Sequence, residues 1–424
     1  MTTTAPTVAV NAIAPLAPAS APLWTLEGLR AADPVLGIAL LMLVALVVAE
    51  ALHRAWRLPR SCGYMLTGAV ASPLVLRLLD RLELDPWKPL IDLAIGALLF
   101  ELGTRIRPRW LLDNPWLAAS CVLQSLLSGL LVTLLLTWLG APLLTAAVVG
   151  TVAMASSPVI LLAVTHETGS RGQVTERMLL MTAVSAVLAV VGLKVLRVVL
   201  ASDVASPGDE LMRAFTSALR VISGSFLLGL ACGFALDRLS PLVRGTPAMP
   251  VLQIALVIVA SMVAAQWTLS PLLALLVAGV TARVRMRHGL TVEPHLGSAG
   301  AVLNVLLFIC LGLLFTLDGL WTAWPMVLAI IVARLAGAGL AIGALARASG
   351  LGWQQAAGLV LALQPMSSLA VLLAADTFGW GSQLPGVHEP TLQALLVAIT
   401  LMQLTGPLWT QLSLRHLARE TEAT

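Results

Sequence analysis

Two long apolar runs in this chain are interrupted in the same way. Met154-Ala155-Ser156-Ser157-Pro158 breaks one, and Pro365-Met366-Ser367-Ser368 breaks the other. Each sets consecutive hydroxyls and a proline in the middle of about twenty residues that otherwise have the length and apolarity of a membrane span. Backbone groups freed at that depth have no water to bond, so such a break must line a cavity or pack inside protein. The two Ser-Ser steps lie 211 positions apart (367 − 156), about half of the 424-residue chain. Equivalent breaks in two halves point to a secondary transporter built from inverted repeats, with half-helix ends turned toward a solute site.

Composition places the rest of the chain in the same setting. It is 58% hydrophobic and 11% charged, with mean hydropathy +0.94, far from a soluble domain. The fold class expected is an all-α polytopic membrane protein of about thirteen transmembrane helices. These fall at 34–52, 62–79, 90–106, 115–139, 142–164, 178–200, 214–236, 251–269, 270–284, 301–317, 322–345, 356–376 and 392–412. An odd number suits two inverted six-span halves joined by a linker helix at 214–236. The broken spans are then the fifth and the twelfth, equivalent members of each half. The same offset carries Gln124 to the neighbour of Arg334, a second coincidence of polar positions. Residues 1–33, rich in Ala, Pro and Thr without a basic start, read as a disordered tail rather than a signal peptide. Residues 413–424 read as a short cytoplasmic tail.

Orientation follows the basic residues of the connectors. One set holds Arg54, Arg57, Arg60, Arg105, Arg107, Arg109, Arg171, Arg177, Arg238, Arg244, Arg283, Arg285, Arg287, Arg347, Arg415 and Arg419. The other holds Arg30, Arg77, Arg81, Lys88, Lys194, Arg197 and Arg213. The larger set places the C-terminus in the cytoplasm and the N-terminus outside, in a bacterial inner membrane. The net charge of +4 is spread through these connectors and forms no nucleic-acid patch.

No catalytic constellation is present. His53, His166, His288, His295, His388 and His416 lie in connectors or tails, and Cys62, Cys121, Cys232 and Cys310 lie inside apolar runs without metal-ligand spacing. The chain therefore reads as neither an enzyme nor a metal or cofactor protein. Arg334, in Ile331-Val332-Ala333-Arg334-Leu335, sits near the middle of its span, where a guanidinium costs several kcal/mol unless it faces a partner or water. Glu101, after Leu98-Leu99-Phe100, pairs at spacing four with Arg105 or else serves as a proton carrier. The broken segments offer Ser156, Ser157, Ser367, Ser368, Gln364 and backbone groups freed by Pro158 and Pro365 as ion ligands.

With those residues in place, the chain resembles the cation:proton antiporter superfamily, in the branch of bacterial sodium/proton exchangers and potassium-efflux systems. Leu58-Pro59-Arg60-Ser61-Cys62-Gly63-Tyr64-Met65-Leu66-Thr67-Gly68 is similar to its second span, and Leu99-Phe100-Glu101-Leu102-Gly103 to its third-span ending. Phe308-Ile309-Cys310-Leu311-Gly312-Leu313, with Leu317-Asp318, is similar to a further segment. The resemblance covers residues 36–412 and implies a scaffold or dimer part (34–106 and 251–317) and a mobile core (115–200 and 322–412). It also implies a homodimer. Arg334 falls where family members carry a basic residue, whereas Ser185 falls where their ion-binding Asp stands.

The expected function is thus monovalent cation (sodium or potassium):proton antiport across the lipid bilayer by elevator-type alternating access. With Ser185 uncharged and Arg334 retained, the core site is expected to be net positive. An anionic or neutral solute on the same fold is therefore the alternative, and a non-transporting membrane sensor or assembly protein is a further one.

Overall fold

A computed structural model describes residues 34–72, 88–201, 209–243, 248–285, 297–313, 320–367 and 389–420. The expected N-terminal tail (1–33), Ser368 and the second half of the 356–376 span lie outside the described residues. Among the described residues the structure is all-helical, with fifteen α-helices in chain order. The first half holds α1 (Pro34–Trp56), α2 (Arg60–Ala71), α3 (Lys88–Arg105), α4 (Pro108–Asp113) and α5 (Pro115–Trp138). It continues with α6 (Leu143–Ala153), α7 (Pro158–Thr168) and α8 (Gln173–Ala201), and α9 (Asp209–Leu239) follows. The second half holds α10 (Met249–Gln266), α11 (Pro271–Arg285), α12 (Gly297–Leu313) and α13 (Leu320–Leu345), then α14 (Trp353–Ala362) and α15 (Glu389–Leu412). A π-helical turn, Ser413–Ala418, closes the described chain before Arg419 and Glu420.

Among the described residues each expected span is helical over at least part of its length, and seven helices are long and apolar enough to cross a membrane. The expected 142–164 span is split into α6 and α7, as its Ser-Ser-Pro step requires. Pro158 opens α7 at its first position, where a missing N–H costs nothing. The short helix α4 was not expected. It begins at Pro108 and ends before Asn114, whose side chain caps α5 at the Leu117 amide (3.3 Å).

Two packing groups divide the helices. In one, α2 lies along α12 and α3 along α11, with α9 against α11. Close approach there depends on facing glycines. A side chain on Gly68 would run into the Ile309 carbonyl and the Gly312 backbone, and one on Gly103 into the Leu276 carbonyl and Gly279. Glycine at these positions lets two helix backbones meet inside an apolar medium, where packing rather than water exclusion holds helices together. In the other group, α5 lies along α13, α6 packs on α5, and α15 packs on α13. Its core joins Val149, Val152 and Ala153 to Ile330, Ala333, Met366 and Ala398.

The basic connectors gather at one end of the bundle. Arg60 and Ser61 donate their amides to Glu167 at the end of α7 (2.7 and 3.0 Å), Arg107 pairs with Glu176 (3.4 Å), and Gln411 bonds the Arg57 carbonyl (3.1 Å).

Candidate functional site at the helix crossing

The two broken segments meet. Residues 155–157 and 365–367 run antiparallel and pair like a single rung of a sheet, centred on Ser156 opposite Met366. The Ser157 amide donates to the Pro365 carbonyl (2.8 Å), and the Ser367 amide donates to the Ala155 carbonyl (3.2 Å). These two bonds are interchanged by a shift of 210 positions (366 − 156). The structural offset is therefore one residue less than the 211 read from the Ser-Ser steps. Ser156 answers to Met366 and Ser157 to Ser367, and the same shift carries Gln124 directly to Arg334.

Arg334 lies across this pseudo-symmetric pair. Its Nη1 donates to the Ala153 carbonyl, and its Nη2 donates to the carbonyls of Leu363 and Gln364 (3.2 Å each). Ala153 ends α6, and Leu363 follows the last residue of α14. One guanidinium thus satisfies the exposed carbonyl ends of both half-helices at equivalent positions. Each such end carries part of a helix's negative partial charge, so both attract the cation on Arg334. The partners of the guanidinium are backbone carbonyls rather than an acid.

Serines complete the crossing. Ser156 Oγ donates to the Leu363 carbonyl (2.8 Å), and the Ser156 amide donates to Ser185 Oγ (3.2 Å), which in turn donates to the Thr182 carbonyl (2.8 Å). Ser156 and Ser185 are fully buried, and Ser157 and Ser367 nearly so. Pro365 packs against Gly406 of α15, where a side chain has no room. Gln403 of α15 donates to the Met366 carbonyl (3.4 Å), a contact with no signal in the sequence. Gln364 turns its amide nitrogen back to the Val360 carbonyl (2.8 Å). The structure therefore brings Ser156, Ser157, Ser185, Arg334, Gln364 and Ser367 together around the crossing, between Pro158 and Pro365. No carboxylate bonds to any of them among the described residues.

A profile described as sodium/hydrogen exchanger, transmembrane, matches residues 38–414. The chain belongs to the sodium/hydrogen exchanger family. Among solved structures, this exchanger-family chain is similar to the sodium proton antiporter MjNhaP1 from Methanocaldococcus jannaschii at pH 8. The TM-score is 0.63 at 15% identity, covering 91% of this chain and 98% of that one. An electron-microscopy structure of MjNhaP1 matches with TM-score 0.62 at 15% identity, covering 93% and 100%. At that identity the likeness shows the antiporter fold. No curated protein matches this exchanger-family chain.

Glu101 sits elsewhere. Its carboxylate pairs with Arg105 (2.9 Å) and with His166 Nε2 of α7 (2.7 Å), and none of Arg334's hydrogen bonds reaches it. His166, read from the sequence as a connector residue, lies within α7. Its partners are about sixty positions away in the chain, so no local spacing announces them. Arg177 was counted with the connectors and is buried instead. It donates to the Ser349 hydroxyl (3.0 Å) and carbonyl beyond α13, under the ring of Trp110 at 5.6 Å. Glu420 reaches back to cap α8 at the amides of Val174 and Thr175 (2.7 and 2.8 Å).

Proposed function

We propose that this member of the sodium/hydrogen exchanger family is a secondary active transporter that carries a monovalent cation against protons through the helix crossing. The observation that supports this most is the antiparallel crossing itself, whose two half-helix ends are held by one guanidinium. With Arg334 held by those ends, the hydroxyl and carbonyl oxygens of the crossing are ligands that suit a hard monovalent cation. Packing group α5–α8 with α13–α15 is the mobile core on this reading, and α1–α3 with α10–α12 is the scaffold. Alternating access is elevator-like, the protein is a homodimer, and the arginine-rich end faces the bacterial cytoplasm.

A second reading, transport of an anionic or neutral solute, draws on the same site. Ser185 stands where relatives carry the acid for which cation and proton compete, and no carboxylate bonds to the crossing among the described residues. Proteoliposomes loaded with a pH-sensitive dye decide between the two. Proton movement driven by sodium or potassium gradients supports the first reading. Its absence, with flux driven by an anion, establishes the second.

A further inference from the structure

A second polar site lies at the arginine-rich end, away from the crossing. There α3, α7, α8 and α11 enclose a cleft of about 430 Å³, within the size range of small-ligand pockets. Arg105, Arg107, Arg171 and Arg283 line it, together with His166 and Glu176. Two of the four guanidinia are already paired: Arg105 with Glu101 (2.9 Å) and Arg107 with Glu176 (3.4 Å). The guanidinia of Arg171 and Arg283 are exposed, and neither has a hydrogen-bond or ion-pair partner among the described residues. Four cations thus face three carboxylates, Glu101, Glu176 and Glu420, the last already committed to the amides at the start of α8. A topological excess of arginine explains why basic residues lie at this end. It does not explain why three separate segments, the end of α3, the turn before α8 and the end of α11, turn theirs into one concavity.

Gathering like charges in one cleft is unfavourable unless an anion offsets them, and the cleft walls focus the field that attracts one. Guanidinium forks match the paired oxygens of phosphate better than a halide sphere. The start of α8 beside the cleft is closed by the protein's own Glu420 carboxylate, so an incoming anion meets side chains rather than that helix end. We propose that this cleft binds a phosphate-bearing anion, held chiefly by Arg171 and Arg283 with Arg105 and Arg107 as the oriented second pair. Its occupant would touch α3 and α11 on one side and α7 and α8 on the other, and so would brace the two packing groups against each other. The binding itself is independent of which ion crosses the membrane.

The phosphate can come from solution or from a lipid headgroup, and the test separates the sources. Purified full-length protein is placed in phosphatidylcholine nanodiscs and its melting followed against inorganic phosphate, with chloride at matched ionic strength as control. A parallel sample replaces part of the lipid with phosphatidylglycerol. A saturable phosphate-specific rise in melting temperature assigns a soluble ligand, and a rise with phosphatidylglycerol alone assigns a headgroup. In either case the Arg171→Gln/Arg283→Gln double variant should melt with wild type in the absence of anion and bind about tenfold more weakly or worse. Arg220→Gln, a change elsewhere that leaves the cleft intact, should behave as wild type. Responses to both anions that chloride reproduces, or that the double variant retains in full, overturn the proposal.

Discussion

Replacing Arg334 by alanine removes three hydrogen bonds that join the ends of α6 and α14. Bonds between polar groups inside a membrane protein are worth about 0.6–1.7 kcal/mol each, so their loss amounts to roughly 2–5 kcal/mol. Against this, the variant no longer holds a cation in the membrane, which recovers about 2.5–3.5 kcal/mol on insertion scales. The two effects nearly cancel for insertion, so the variant should reach the membrane in wild-type amounts. They do not cancel at the crossing. The carbonyl of Ala153 loses its side-chain donor, and two half-helix ends of like partial charge are left facing each other. Arg334→Ala should therefore lower the melting temperature in detergent by a few degrees and reduce solute flux in proteoliposomes at least tenfold. Arg334→Lys should fall between, because one compact ammonium cannot span carbonyls on both half-helices as the guanidinium fork does. Wild-type melting and flux in Arg334→Ala would refute the reasoning, since the crossing would then hold without its bridge.

Ser185→Asp places a carboxylate at the Ser156 amide and should increase cation-driven proton movement in vesicles; no gain over wild type would mean that the missing acid is not what limits exchange. Glu101→Gln should leave proton coupling intact while loosening the α3–α7 contact through His166, so lost coupling measured with a pH-sensitive dye would make Glu101 the proton carrier after all. Gly68→Leu should prevent α2 from seating on α12 and destabilise the protein by several kcal/mol, about the scale of severe core overpacking, read as lost monodisperse protein on size-exclusion chromatography. A single cysteine at position 285, on a background lacking the four native cysteines, should resist impermeant reagent added outside cells; labelling there would invert the orientation.

Much of the fold was legible in the letters. The apolar runs placed the spans because a bilayer sets their length, and the Ser-Ser-Pro step announced the break between α6 and α7 because proline cannot continue a hydrogen-bonded ladder. Arg334 stood out because a charge in an apolar run is expensive. The unexpected α4 was hidden by its length, too short to show any periodicity. The cluster of Glu101, Arg105 and His166 was only half visible, as an i, i+4 pair.

The sequence by itself therefore indicated where most of the helices lie, where two apolar runs are interrupted and that a cation is embedded in one of the spans. Only the tertiary structure decided what that cation touches. Arg334 bonds Ala153 across 181 positions of chain, and its acceptors are main-chain carbonyls, which every residue possesses and no letter distinguishes. The register was decided the same way: matching serines suggested one offset, but the antiparallel rung sets Ser156 against Met366. Backbone pairing follows hydrogen-bond geometry rather than side-chain likeness, and that one-residue difference aligns Gln124 with Arg334 and places a single guanidinium across both helix ends.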